Sequence, residues 1–123
     1  MGDLSLVSVV DDDESVRESL PDLLREFGFA ARAFSSAVEF LTSSHVDQTR
    51  CLLLDIAMPD MSGTELQEEL RRRHEEIPII YITGQGDPAV RQQVIEQGAV
   101  ECLFKPFSDS ALLNALNLAL REG

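Results

Sequence analysis

The chain has 123 residues, room for one compact domain with its own core and not for two. Asp and Glu total 22 against 10 Lys and Arg, a net charge of −12. Such a surface repels nucleic acid and anionic membrane, so any DNA contact belongs to another domain. No apolar run approaches the roughly 18 residues of a membrane span, and no basic-then-apolar leader opens the chain. Cys51 and Cys102 lie in apolar segments without metal-site spacing, as small core residues of a reducing, cytoplasmic location do.

Short apolar runs alternate with amphipathic segments. Leu6–Val10 reads as a strand. Residues 14–27 carry apolar side chains at helical spacing (Val16, Leu20, Leu23, Leu24, Phe27), with Pro21 expected to kink the helix and Gly28 to stop it. Residues 29–34 form a second strand. Ser35 or Ser36 caps a short helix ending near Leu41. Residues 50–54 are a third strand, and the loop Met58-Pro59-Asp60-Met61-Ser62-Gly63 leads to a charged helix over 64–74. The "RRRH" run at its end suits the helix dipole. Residues 77–83, "IPIIYIT", are a fourth strand. Residues 87–97 form a helix with Asp87 as cap, Pro88 at the first position and Gly98 as stop. Residues 100–104 are a fifth strand, and Ser108 or Asp109 caps a last helix to about Arg121.

Five strand–helix units in a row, with strands apolar on both faces, imply a parallel sheet covered on both sides. Right-handed crossovers make it an open, doubly wound α/β domain with five strands and five helices. Working groups in such folds gather at the carboxyl ends of the strands. Those ends are Asp11-Asp12-Asp13, Asp55, Thr83 and Lys105. Converging carboxylates repel one another, and a hard divalent cation such as Mg²⁺ relieves the repulsion. A carboxylate, a metal, a lysine and a hydroxyl together suit a phosphoryl group.

The motifs "VVDDDE", "LLLDIAMPDMSG", "ITGQGD" and "FKPF" occur in this order, each at the end of a predicted strand. With them the chain resembles the receiver domain of two-component response regulators over nearly its whole length, from Val7 to about Leu120. "ITGQGD" with "KPF" resembles the FixJ-type subgroup, whose members usually carry a C-terminal helix-turn-helix domain. Residues 1–123 are read as one receiver domain without that output domain.

The resemblance implies a flavodoxin-like strand order of 2-1-3-4-5. It implies that Asp55 accepts a phosphoryl group from a phosphohistidine on a sensor histidine kinase. Asp11 and Asp12 match the acidic pair that holds Mg²⁺ together with Asp55 and the backbone carbonyl of Ala57. Thr83 and Lys105 would each bind a phosphoryl oxygen, and Pro106 would follow a cis bond. Three residues before the lysine the family usually has Tyr or Phe, an aromatic that swings inward on phosphorylation. Here the position is Cys102. Tyr81, the chain's only tyrosine, is the remaining candidate for that part.

Each residue also has a plainer reading. Asp13 is a helix cap, Asp60 a turn acid, and His45 and His74 are solvated. An aspartyl phosphatase of the haloacid-dehalogenase pattern would need an acid where Ala57 stands. A flavin domain would need a Ser/Thr/Gly-rich phosphate loop in place of "DDDES". The alternative that stays open is a degenerate receiver acting as a phosphorylation-independent interaction module. On the last helix, Leu112, Leu113, Leu116 and Leu120 form the expected core stripe. Ala111, Ala115 and Leu118 widen the apolar arc, which points to a homodimer surface made by the fourth helix, fifth strand and last helix.

Overall fold

Strands with apolar side chains on both faces need helices on both sides, and the computed structural model, which describes residues 4–58, 61–84 and 88–122, shows that arrangement. The elements are β1 (Leu6–Val10), α1 (Glu14–Glu26), β2 (Ala30–Phe34), α2 (Ala37–Leu41), β3 (Thr49–Asp55), α3 (Gly63–Arg72), β4 (Ile79–Thr83), α4 (Pro88–Glu96), β5 (Glu101–Phe104) and α5 (Asp109–Glu122). The five strands are all parallel in the order β2-β1-β3-β4-β5, the expected doubly wound topology.

Side chains alternate between the two faces of the sheet. Val7, Val9, Leu53, Ile80 and Ile82 join Leu20 and Leu24 of α1 and Leu112 and Leu116 of α5 in one buried cluster. Val10, Leu52, Leu54, Ile79 and Tyr81 join Phe40 of α2, Leu66 and Leu70 of α3 and Val94 of α4 in the other. Each fully buried leucine or isoleucine contributes about 1.5–3 kcal/mol.

Local chemistry sets the helix ends. Asp13 caps α1, Ser36 caps α2, and Ser62 caps α3 in a reciprocal capping box with Glu65. Ser108 Oγ accepts from the Ala111 N–H at 3.1 Å, so Ser108 is the cap of α5 and Asp109 its first residue. Asp87, expected to cap α4, and Asp60 lie outside the described residues. Gly28 and Gly98, at φ 97° and 110°, close α1 and α4. Among the described residues, no helix is long and apolar enough to cross a membrane.

Helix α1 is continuous across Pro21, which is buried. Several expectations shift. The third helix ends at Arg72, and His74 turns left-handed at φ 60°. Strand β4 begins at Ile79 rather than 77. On α5 the fully buried stripe is Leu112, Ala115, Leu116 and Ala119, while Leu113 and Leu120 are half-buried. Alanine fits where the helix lies closest to the sheet, and the larger leucines sit at the margins. Leu118 is 45% exposed. His45 is half-buried beside Phe34, with its Nδ1 buried and without a partner among the described residues, while His74 is exposed as expected.

Candidate functional site

Strand ends bring the site together. Asp11 follows β1 directly, Asp55 is the last residue of β3, Thr83 the last of β4, and Lys105 follows β5. Asp11, Asp55 and Thr83 are buried and Asp12 is exposed. One carboxylate oxygen from each of Asp11, Asp12 and Asp55 lies within 4.8 Å of the others. Lys105 reaches across the sheet to this group, its Nζ donating to Asp11 Oδ2 at 3.0 Å.

Backbone bonds fix these groups. The Lys105 N–H donates to the Thr83 carbonyl at 2.8 Å, joining the ends of β4 and β5. The Lys105–Pro106 bond is cis, as the resemblance implied. The Asp13 N–H donates to Asp11 Oδ1 at 2.9 Å, and Asp13 itself turns away to cap α1 through Ser15. That bond to Ser15 holds the Asp13 carboxyl below its usual range. Asp13 is therefore a structural acid, and Asp11 and Asp12 are the pair that faces the site. The Ala57 N–H donates to Asp55 Oδ1 at 3.3 Å.

The electrostatics follow from this crowding. Burial, and next the charge of Asp11, push the Asp55 carboxyl up to about 7; Lys105 and the Ala57 N–H oppose the rise only in part. The donor set is all hard oxygen, partly buried and short of positive charge. Such a set fits Mg²⁺ and is a poor match for softer metals.

Three residues at the site escape a reading of the sequence. Arg17 donates from Nη1 to the Asp11 carbonyl at 3.0 Å, holding the acidic loop from the first turn of α1. Gly63 stands where a Cβ would lie 2.6 Å from the Asp55 carbonyl oxygen and 2.9 Å from Tyr81 Cε1. Only glycine allows α3 to start so close to the backbone of Asp55. Gln67 lies beneath Tyr81, whose hydroxyl donates to its Oε1 at 2.6 Å. "MSG" hinted at the glycine; nothing in the spacing of Arg17 or Gln67 marked them.

The family profile for the response regulator receiver domain matches residues 7–117. The chain belongs to the response regulator receiver family. It is 41% identical over 117 residues to response regulator protein TodT of Pseudomonas putida, covering 95% of this chain and 52% of TodT. It is 40% identical over 113 residues to the transcriptional regulatory protein FixJ of Rhizobium meliloti, covering 92% of this chain and 55% of FixJ. The chain thus spans about half the length of these curated relatives. The crystal structure of FixJ-N superposes with a TM-score of 0.85 at 38% identity, covering 97% of this chain and 95% of that one. As a receiver, the chain is a signalling module of two-component systems, related to transcriptional response regulators, and not a conventional enzyme. Receivers bind Mg²⁺ through acidic residues, and this one gathers three.

Proposed function

We propose that this receiver is a cytoplasmic switch that takes a phosphoryl group onto Asp55 from the phosphohistidine of a sensor histidine kinase. The observation that carries the reading is the convergence of Asp11, Asp12 and Asp55 with Lys105 at adjoining strand ends. Asp11, Asp12, Asp55 and the backbone carbonyl of Ala57 would hold Mg²⁺. Bound there, Mg²⁺ supplies the positive charge that crowded carboxylates and phosphoryl oxygens require.

A carboxylate oxygen of Asp55 attacks phosphorus while the P–N bond to the histidine breaks, and the departing imidazole keeps that electron pair and takes up a proton. The attacking oxygen must be unprotonated, so neutralising the charge around Asp55 is part of the reaction. Lys105, held at 3.0 Å by Asp11, swings to a phosphoryl oxygen, and the Thr83 hydroxyl donates to another. Hydrolysis of the acyl phosphate at the same site would reset the switch. Control of transcription is carried over from the named role of relatives such as FixJ. The exposed Leu118 on α5 supports the reading of a homodimer face made by α4, β5 and α5, to be read by sedimentation with and without beryllofluoride and with Leu118→Glu.

The decisive experiment is intact mass after incubation with acetyl phosphate and Mg²⁺. Wild type gains one phosphoryl mass and Asp55→Asn gains none. Folded wild type that gains nothing would instead support a phosphorylation-independent interaction module.

A further inference from the structure

The structure offers a second route out of the site, one that avoids the position of Cys102. Tyr81 and Thr83 lie two apart on β4 and so share the face covered by α3 and α4. Tyr81 is fully buried, and its in-register neighbour on β5 is Cys102. A thiol cannot fill the volume of the aromatic that the family usually places there. Tyr81, for its part, is held where it is.

Its ring fills the space beside Gly63, whose missing Cβ would touch both Tyr81 Cε1 and the Asp55 carbonyl oxygen. Its hydroxyl donates to Gln67 Oε1 at 2.6 Å and lies 3.2 Å from the Gly63 carbonyl. Gln67 Nε2 then donates at 3.3 Å to the carbonyl of Gln97, just past the end of α4. Arg71 Nη2, one turn along α3, donates to the same carbonyl at 2.9 Å. A helix's last carbonyls lack partners within the helix, and here α3 supplies them. A continuous, mostly buried path therefore runs from the backbone of Asp55 through Gly63, Tyr81 and Gln67 to the end of α4.

We propose that Tyr81 and Gln67 form a latch that positions α4 relative to α3 and transmits the state of Asp55 to α4, in place of an aromatic switch at Cys102. The proposal rests on the phosphoacceptor role of Asp55 given above. Tyr81 and Gln67 are positioning residues: neither meets the phosphoryl group. Phosphoryl-driven movement at Thr83 and Asp55 displaces the Tyr81 ring, and the two hydrogen bonds carry that displacement to Gln97. Coupling needs an element with two arrangements that the site can bias, and α4 on its side-chain tethers is that element.

The test uses ¹⁵N-labelled protein with beryllofluoride and Mg²⁺, reading the amide shifts of Gln97, Gly98 and Ala99, alongside mass gain from acetyl phosphate. In wild type and in Cys102→Ala these amides move on adding beryllofluoride. In Tyr81→Phe the mass gain is complete, but the movement falls below half of the wild-type value. Gln67→Met, which also removes the tether, gives the same loss and decides the matter if Tyr81→Phe does not fold. A merely structural role would lower the melting temperature and leave the induced shifts intact. Wild-type-sized movement in the folded tether variants, or its loss in Cys102→Ala, would overturn the latch. Mass gain in wild type without movement at 97–99 would overturn the latch alone. No mass gain in wild type would remove the phosphoacceptor reading and the latch with it.

Discussion

Under α1 and α5 the buried cluster consists of apolar side chains, from Val7 and Val9 through Leu53, Ile80 and Ile82 to Leu112 and Leu116. Under α2, α3 and α4 the cluster is as well packed, but a tyrosine hydroxyl and a glutamine carboxamide are set into it. Apolar contact is non-directional and holds a helix wherever volumes fit. A buried hydrogen bond holds only at one distance and angle, and leaving it unmade is costly. One face therefore supplies mass and stability. The other fixes the placement of helices against the site, which is what a switch has to change.

The largest effect should come from cutting into the apolar face. Leu116 is fully buried on α5. Leu116→Ala should lower stability by about 2–5 kcal/mol and the melting temperature by ~10 °C. Its uptake of phosphoryl and its amide response on α4 should persist below the melting range. Denaturant unfolding checks the first statement and mass spectrometry the second. A cost under about 1 kcal/mol would show that this face does not carry the core.

At the rim where the two faces meet, charge dominates. The Asp55 carboxyl titrates near 7 in the folded chain, above its ordinary value of 3.8. The folded state then holds a proton that the unfolded state has released, so the neutral carboxyl favours folding at low pH. That contribution fades as pH rises from about 4 and is gone above about 7, where the buried charge has to be carried. Without metal, the protein should be less stable at pH 8 than at pH 6 by this effect. Asp55→Asn should stabilise it at pH 8 by about 2 kcal/mol and flatten the profile. Adding Mg²⁺ should recover stability in wild type and much less in the variant. Melting curves at several pH values, with and without Mg²⁺, give the comparison. A flat wild-type profile would mean that the crowding is already relieved in the protein itself.

Next comes the polar face. Tyr81→Phe leaves Gln67 Oε1 buried without its donor and should cost about 1–2 kcal/mol. The double variant Tyr81→Phe/Gln67→Met replaces both partners with apolar groups and should regain much of that loss. A double-mutant cycle by chemical denaturation measures the coupling. Independent, additive costs would show that the two side chains do not act as a pair.

The difference between the faces also explains what the sequence made legible. Periodicity reveals apolar stripes, so the order of elements, the doubly wound sheet and the acids at its rim could all be read from "VVDDDE", "LLLD" and "FKPF". A hydrogen bond between residues 14 positions apart leaves no periodic trace, so Gln67 looked like any helix-surface residue. The Ala115 position was misread for a related reason. Propensity treats alanine as a helix former, while the close approach of α5 to the sheet makes it the core residue. Helix α1 stays continuous across Pro21 because the packing around it outweighs one missing bond.

The smallest effect concerns how helices end on the two faces. Helix α1 closes on Gly28 at φ 97°, with the Phe29 N–H donating to the Leu24 carbonyl at 3.0 Å. Helix α4 closes on Gly98 in the same way, through Ala99 and Val94. Helix α3 makes the equivalent turn with His74 at φ 60°, and the Glu75 N–H donates to the Leu70 carbonyl at 2.9 Å. All three are six-to-one closures that need a left-handed residue, and glycine takes that conformation without a Cβ penalty. His74 is exposed, and among the described residues no hydrogen bond from its side chain compensates. His74→Gly should therefore stabilise the fold by about 0.5–1 kcal/mol, against the usual loss for a glycine introduced into a chain. Because Arg71 and Gln67 reach α4 from this same helix, a firmer end to α3 should also leave the amide shifts at 97–99 unchanged in the resting state. A loss of stability in His74→Gly would show that the imidazole makes a contact worth more than the strain of its backbone.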